Sequence, residues 1–189
     1  MGFILDDKLK FNCHINYIVG KISRSAGILY KIRNSLPLYA RLNFYYSFIY
    51  PYLSYNIIIW GATNPSHLHP LIVQHKRIIR ILTDSNFMEH TSPLFHRLKL
   101  LKLMDIYKFQ LLLHTRKALL NGQFQCLHNI QTRNRNFAVA SFQRLSRTQQ
   151  SVSYMGPSLW NNLPDNLRQE NTLNSFKRKL KIHFLEQYI

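Results

Sequence analysis

The chain has 189 residues, of which 46% are apolar, and its 25 Lys and Arg against 8 Asp and Glu give a formal net charge of +17. The apolar fraction excludes wholesale disorder, and the charge favours nucleic acid as a partner, ahead of an anionic membrane surface. Cys13 and Cys126 stand far apart and without a partner motif, which indicates free thiols in a reducing compartment. We therefore expect an intracellular protein, cytoplasmic or nuclear, that is not secreted.

The acidic residues are unevenly distributed. Residues 8–83 contain ten Lys or Arg and no Asp or Glu, and residues 106–164 are also free of acids. Most cations in these stretches therefore have no intramolecular counter-charge and are suited to a phosphate backbone. A two-metal phosphoryl-transfer site needs clustered carboxylates, so we expect no catalytic residue, metal site or other cofactor in this chain.

Apolar periodicity predicts a mainly α-helical chain. Pro51 is expected to kink or restart a helix, and Ser66 is a candidate N-cap. The segment Leu42–Ala62 carries no formal charge, but its tyrosines, asparagines and central proline argue against a membrane span. The helices are expected at residues 12–33, 40–50, 53–60, 66–82, 91–98 and 104–120.

The composition changes at residue 121, after which Gln, Asn, Ser, Thr and Arg are frequent. Short β-like runs at residues 137–142 and 151–155 predict strands. A short turn of helix is expected around Trp160, and a clean apolar stripe predicts a final helix over residues 172–187.

These elements predict a chain in three parts. Residues 1–11 form a connection, residues 12–120 a helical bundle, and residues 121–189 a small α+β lobe.

The first helix offers a candidate nucleic-acid surface. Lys21, Arg24 and Lys31 lie off its apolar stripe, and Gly20 and Gly27 lie on the same face as Arg24 and Lys31. Small residues between cations would let a phosphate backbone approach closely. The alternatives are that the glycines admit a neighbouring helix or are simply tolerated, at a cost of roughly 1 kcal/mol each relative to Ala.

Two further clusters of cations predict phosphate contacts, with an ordinary solvated face as the alternative for both. The second cluster would also interact favourably with the dipole of the final helix, a purely structural role. The clusters are Lys76, Arg77 and Arg80, which we expect to form one ridge, and Lys177, Arg178, Lys179 and Lys181.

Arginines and aromatic residues alternate in the polar segment after residue 121. Such a mixture can hold a single strand by stacking, although alternating aromatic residues also pack a small sheet. The residues are Arg133, Arg135, Arg144 and Arg147, with Phe137 and Phe142 between them.

The remaining candidates favour structural roles. Trp60 and Trp160 are expected to anchor the core. His67, His69 and His75 have no Cys or carboxylate partner in the sequence pattern, so a metal site is not predicted.

Several short sequence motifs occur in a characteristic order along the chain. In this order and spacing they resemble the end of reverse transcriptases from LINE-type, non-LTR retrotransposons of the jockey-like kind, and the resemblance covers nearly the whole chain. The strings are Gly27-Ile28-Leu29-Tyr30-Lys31, Pro51-Tyr52-Leu53-Ser54-Tyr55, Trp60-Gly61, Gln74-His75-Lys76-Arg77-Ile78-Ile79-Arg80, His90-Thr91-Ser92-Pro93-Leu94-Phe95 and Gly156-Pro157-Ser158-Leu159-Trp160.

The resemblance implies a polymerase thumb, which grips the template–primer duplex, and the region after it, without fingers or catalytic palm. Met1–Ile4 would match the last palm strand. Asp6 and Asp7 are not expected to be the family's metal-binding pair, because Ile4 stands where an aromatic residue is required; we interpret them as turn residues. An intact parent would be an RNA-directed DNA polymerase that uses Mg.

The sequence therefore predicts a non-catalytic fragment that binds template–primer nucleic acid, an RNA–DNA hybrid or another duplex, through basic helices. Its other expected partner is the palm of the parent polymerase. The alternatives are a decayed transposon remnant or an interaction fragment without retained activity, and a peripheral membrane binder.

Overall fold

A computed structural model describes residues 2–7, 9–122, 138 and 144–189. Within these residues the protein is mainly α-helical and contains no β-strand, which confirms the predicted helical class. A 3-10 turn, Arg33–Ser35, follows the first helix. The helices are α1 Asn12–Ile32, α2 Leu38–Phe48, α3 Tyr50–Ser54, α4 Ile57–Trp60, α5 Pro65–Thr83, α6 Thr91–Leu98, α7 Leu103–Leu120, α8 Ser146–Gln149, α9 Val152–Asn161, α10 Asp165–Arg168 and α11 Leu173–Glu186.

Local signals account for most helix boundaries in the first half of the chain. Pro51 lies in the first turn of α3, where a missing N–H is harmless, so the predicted restart of the helix is confirmed. A further break follows at Asn56, whose φ of 50° is left-handed. The N-cap of α5 is Asn64, not Ser66, because the Asn64 side chain accepts a 3.2 Å hydrogen bond from the Ser66 N–H.

The described part of the C-terminal region does not show the predicted α+β character. Residues 151–155 belong to α9 and its N-cap, so the strand predicted there is wrong. Val152, Met155 and Leu159 recur at helical spacing, and this longer period continues through the run that was interpreted as β-like. The strand predicted at residues 137–142 falls outside the described residues except for Ala138.

An apolar seam between α1 and α5 organises the first half of the molecule. The two helices pack together more extensively than any other pair among the described elements. Full burial of each Leu or Ile side chain stabilises the fold by roughly 1.5–3 kcal/mol. The buried residues of the seam are Ile15, Ile18, Ile22, Ala26 and Leu29 on α1, and Leu68, Leu71, Ile78, Ile79 and Leu82 on α5.

α7 links this seam to the C-terminal helices. It packs against α3 and α4 on one side and against α9 and α11 on another, so apolar residues occur around most of its circumference. Trp60 and Trp160 are both buried, as predicted for core anchors. Gly156 allows α9 to approach α7 closely, since a Cβ there would lie 2.5 Å from the Thr115 Oγ1.

Tyr188 ties the C-terminal end of the described chain to the start of α7. Its hydroxyl donates to the buried Asp105 carboxylate and accepts a 2.9 Å hydrogen bond from the Lys102 N–H. The Lys102 ammonium lies 4.1 Å from the centroid of the Tyr188 ring. Burial, with Asp105 beside it, raises the pKa of Tyr188 far above its usual value, so the phenol stays protonated and donates.

His75 is a polar residue inside the core. Its Nε2 lies 2.9 Å from the Tyr45 hydroxyl, and its ring packs against Tyr45 and Phe95. Burial lowers the pKa of His75 to about 3, so the imidazole is neutral in the folded protein.

We expect the stability of the protein to fall as the pH drops below about 6.5. The unfolded chain protonates His75 near pH 6.5 whereas the folded chain does not until about pH 3. Each pH unit in this window therefore costs about 1.4 kcal/mol of unfolding free energy. Urea unfolding between pH 7.5 and 5 measures the slope. This pH interval lies above the range in which most carboxylates titrate.

The matched variants are His75→Gln and, as control, His69→Gln at an exposed position. His75→Gln should flatten the slope and His69→Gln should not. Burial also lowers the pKa of His14, so a smaller slope of the same sign should remain in His75→Gln, whereas His69→Gln should keep the full wild-type slope. Equal slopes in the wild type and His75→Gln would contradict the prediction.

Gly61→Ala should destabilise the fold by about 1–3 kcal/mol through overpacking. A Cβ there would lie 2.5 Å from the Ile57 carbonyl oxygen and 2.5 Å from the Tyr107 ring. Gly20→Ala is the control, because a Cβ on Gly20 meets no atom within 4 Å and should add up to about 1 kcal/mol of helix stability. Thermal unfolding of both variants checks the opposite signs.

Candidate nucleic-acid interface

A groove of about 590 Å³ lies between the C-terminal end of α1, the outer side of α5 and the segment that follows α5. We call it the arginine groove. The residues that line it and bear on binding are Tyr30, Arg33, Gln74, Arg77, Arg80 and Phe87.

Helical spacing and the α1–α5 seam bring these residues together. Tyr30 and Arg33 are three positions apart at the end of α1, and Arg77 and Arg80 are three apart on α5, so each pair projects to one side. Because the two helices pack side by side, the two pairs meet across the groove.

The groove has three arginines, and among its lining arginines the described ion pairs give a carboxylate partner only to Arg33. Asp84 lies 3.5 Å from Arg33 and 2.5 Å from Arg41, and it is shared between the two guanidinium groups. The Nε of Arg80 donates to the Glu89 carbonyl oxygen at 3.0 Å, which orients that side chain without neutralising it. None of the residues that line the groove is Asp or Glu.

Two exposed aromatic rings flank these arginines. Tyr30 is 52% exposed and lies 4.1 Å from the Arg33 guanidinium, and Phe87 is 75% exposed and lies 5.8 Å from that of Arg80. Ring faces that adjoin arginines can stack with nucleobases while the cations contact phosphates.

Gln74 contributes an unused polar group to the groove. Its Oε1 is buried and has no hydrogen-bond partner in the described part of the chain. Because this oxygen is shielded from solvent, the Gln74 amide would have to turn outward before it could pair with a base edge or a sugar hydroxyl.

The face of α1 opposite the core is open. Arg24, Gly27 and Lys31 are exposed, and a Cβ on Gly20 or Gly27 would meet no atom within 4 Å. The glycines therefore do not admit a neighbouring helix of the described chain. Lys21 is half-buried, with its ammonium 5.3 Å from the centroid of the Tyr17 ring.

The structure places only part of the cation cluster predicted on α5 in the arginine groove. Arg77 and Arg80 line the arginine groove, whereas the exposed Lys76 does not. Lys76 is rotated by about 100° from Arg77 and lies one helical turn before Arg80. Burial of the Lys102 amine is the main cause that lowers the pKa of Lys102, and the positive charge of Lys76 lowers it further.

The cations of α11 divide in a similar way. Lys177 and Lys181 are one turn apart and line a second, smaller cavity together with Lys99. Arg178 is exposed away from this cavity. Lys179 forms an ion pair with Glu170.

Four residues of the arginine groove were not identified as binding residues by sequence reasoning, namely Tyr30, Arg33, Gln74 and Phe87. Arg33 ends the α1 pattern, and its spacing from Tyr30 was an available signal. Phe87 follows α5 in an irregular segment, where no periodicity marks it. Arg133 and Arg135 lie outside the described residues, and Arg144 is exposed.

Asp6 has the turn role that was predicted for it. Its carboxylate accepts hydrogen bonds from the N–H groups of Lys10 and Phe11, at 3.0 and 2.9 Å, just before α1 begins. The hydrogen bond from Phe11 is the main reason why the pKa of Asp6 lies below its usual value.

Two features are absent from the described residues. No group of three or more His, Cys, Asp or Glu side chains there is arranged to hold a metal ion. No helix in this part of the chain has the length and apolar character needed to cross a bilayer.

Comparison with known proteins finds similarity to an RNA-directed DNA polymerase of a mobile element, which supports the predicted relationship to LINE-type reverse transcriptases. That relative is the RNA-directed DNA polymerase from mobile element jockey of Drosophila melanogaster, 29% identical over 109 residues. The alignment covers 56% of this chain and 12% of the relative, so the similarity concerns a small part of that polymerase. No family model and no solved structure matches the chain.

Proposed function

We propose that this chain is a non-catalytic, thumb-like part of an RNA-directed DNA polymerase that binds template–primer nucleic acid, an RNA–DNA hybrid before other duplexes. The observation that carries the proposal is the arginine groove, in which Arg33, Arg77 and Arg80 meet beside two exposed aromatic rings. The similarity to an RNA-directed DNA polymerase is the reason for proposing an RNA–DNA hybrid as the nucleic acid that is bound.

The groove would bind a duplex without reading its sequence. Arginine side chains contact phosphates of any sequence, and stacking on Tyr30 or Phe87 accepts any base. The open face of α1 adjoins the groove, since Lys31 follows Tyr30 directly, and it would extend the contact along the backbone.

In the parent enzyme this part would hold the duplex while another part carries out polymerisation. The polymerase carboxylates and their Mg ions would belong to the palm, which is the proposed protein partner of this chain. We place the complex inside the cell, where its nucleic-acid partner occurs.

A second candidate function is an interaction fragment without nucleic-acid binding. It is favoured by apolar side chains that α2 leaves exposed, with Leu38 and Phe48 about half exposed and Tyr39 at 71%. An apolar face of this kind marks a surface that packs against another protein part.

Arg77→Gln should weaken binding to an RNA–DNA hybrid about tenfold at low salt, as expected for one lost charge-assisted contact. It should also reduce the log–log salt slope by about 0.9, which corresponds to one phosphate. Fluorescence anisotropy at several salt concentrations measures both quantities.

The control for Arg77 is Lys117→Gln, which removes the same charge from an exposed position in the last turn of α7, next to a different cavity. Equal loss in both variants would exclude the arginine groove. If the wild-type chain does not bind the hybrid but self-associates in sedimentation experiments, the second candidate function is favoured.

Gly27→Ala should separate stability from binding. The added Cβ meets no neighbouring atom, so the helix should gain up to about 1 kcal/mol. If a phosphate backbone approaches this face, the same Cβ should weaken hybrid binding. Anisotropy and thermal unfolding on one sample test both; unchanged binding in a stabilised variant would remove this face from the interface.

A further inference from the structure

A second cavity, of about 120 Å³, is surrounded by cations. It lies where α2, the connection between α6 and α7, and α11 meet, and it is lined by Lys99, Lys177 and Lys181 together with Tyr46 and Tyr50. We propose that this cavity, the lysine pocket, is a binding site for a phosphate group. The inference does not depend on the arginine groove or on the proposed function.

Three amines converge on the pocket without an acid among the residues that line it. Lys177 and Lys181 are four residues apart on one face of α11, where like charges repel each other. Lys181 is half-buried, and its pKa is lowered first by burial and then by the charges of Lys99 and Lys177. A bound anion would offset the repulsion among the three ammonium groups, because it attracts each of them.

The backbone at Lys99 is held in a conformation that lysine rarely adopts. Its φ is 53°, and its N–H donates to the His96 carbonyl oxygen at 3.0 Å, which ends α6. Glycine is the usual residue at such a helix end, because a Cβ is strained there. A lysine at this position is therefore unfavourable for the fold, and its side chain lines the pocket close enough to Lys181 to lower the pKa of that amine.

The tyrosines add hydrogen-bond donors to the charge. The Tyr45 hydroxyl is occupied by His75, and that of Tyr50 by Gln110. The Tyr46 hydroxyl has no hydrogen-bond partner among the described residues and lies on a ring that lines the pocket. Burial raises its pKa, so it remains a donor at neutral pH.

This donor set matches a phosphate group in number and charge. A terminal phosphate carries up to two negative charges and three acceptor oxygens, for which three ammonium groups and a hydroxyl are suitable donors. The ligand can be free phosphate or the terminal phosphate of a nucleic-acid strand, since both present the same group to the pocket.

The first test measures inorganic phosphate binding to the full chain by calorimetry. Lys99→Gly and Lys181→Gln should each weaken binding about tenfold. Lys99→Gly should at the same time keep or raise the melting temperature, because glycine relieves the left-handed strain, so its loss of binding cannot come from misfolding.

The control is Arg97→Gln, which removes one positive charge two residues from Lys99 at an exposed position that does not line the pocket. It should change phosphate affinity less than twofold. Equal losses in Lys99→Gly and Arg97→Gln, or no phosphate binding by the wild type, would overturn the proposal.

The second arm distinguishes the two sources of the phosphate group. Binding of a single-stranded DNA is compared with and without a 5′-phosphate, in the wild type and in Lys99→Gly. A preference for the phosphorylated strand that Lys99→Gly abolishes assigns the pocket to a strand end, and no preference assigns it to free phosphate. Arg77→Gln should leave inorganic phosphate binding unchanged, which separates this proposal from that for the arginine groove.

Discussion

The packing of α1 against α5 is the contact on which the candidate interface depends. Isoleucine and leucine side chains fix the rotation of both helices, and with it which residues face outward at the edge of the seam. Tyr30 and Arg77 are far apart in the sequence and meet only because this apolar contact holds α1 beside α5. The candidate interface is thus a consequence of core packing, and a change in the core that rotated α1 would separate its two halves.

The scarcity of carboxylates shapes the surface as much as the abundance of cations does. Several of the eight acids have structural partners: Asp84 pairs with Arg33 and Arg41, Asp105 accepts from Tyr188, and Glu170 accepts from Ser175 and Lys179. Because these acids are paired with other side chains, the arginine groove and the lysine pocket remain electropositive. The arrangement stabilises the fold with a small number of ionic contacts and leaves the remaining cations for an external anion.

The sequence determines the helices well where their apolar period is long and regular, as in α1 and α5. It misled at residues 151–155, where a short run fits both a strand and a helix and only packing against α7 decides. The groove was half predictable: Arg77 and Arg80 stand out as cations on a helix, but Phe87 has no local signal. Lys99 was missed for a similar reason, since its role follows from a positive φ and from contacts with α11 that only the folded chain creates.

The bond between Tyr188 and Asp105 has a consequence for synthesis. The two residues are 83 positions apart, so at about 5–20 residues per second the ribosome makes the second one several seconds after the first. During that interval the start of α7 holds a carboxylate whose buried partner does not yet exist, and the apolar surface that α11 later covers is open. During synthesis the apolar surface of the incomplete helical bundle is therefore exposed for seconds. In this period, binding by chaperones competes with aggregation.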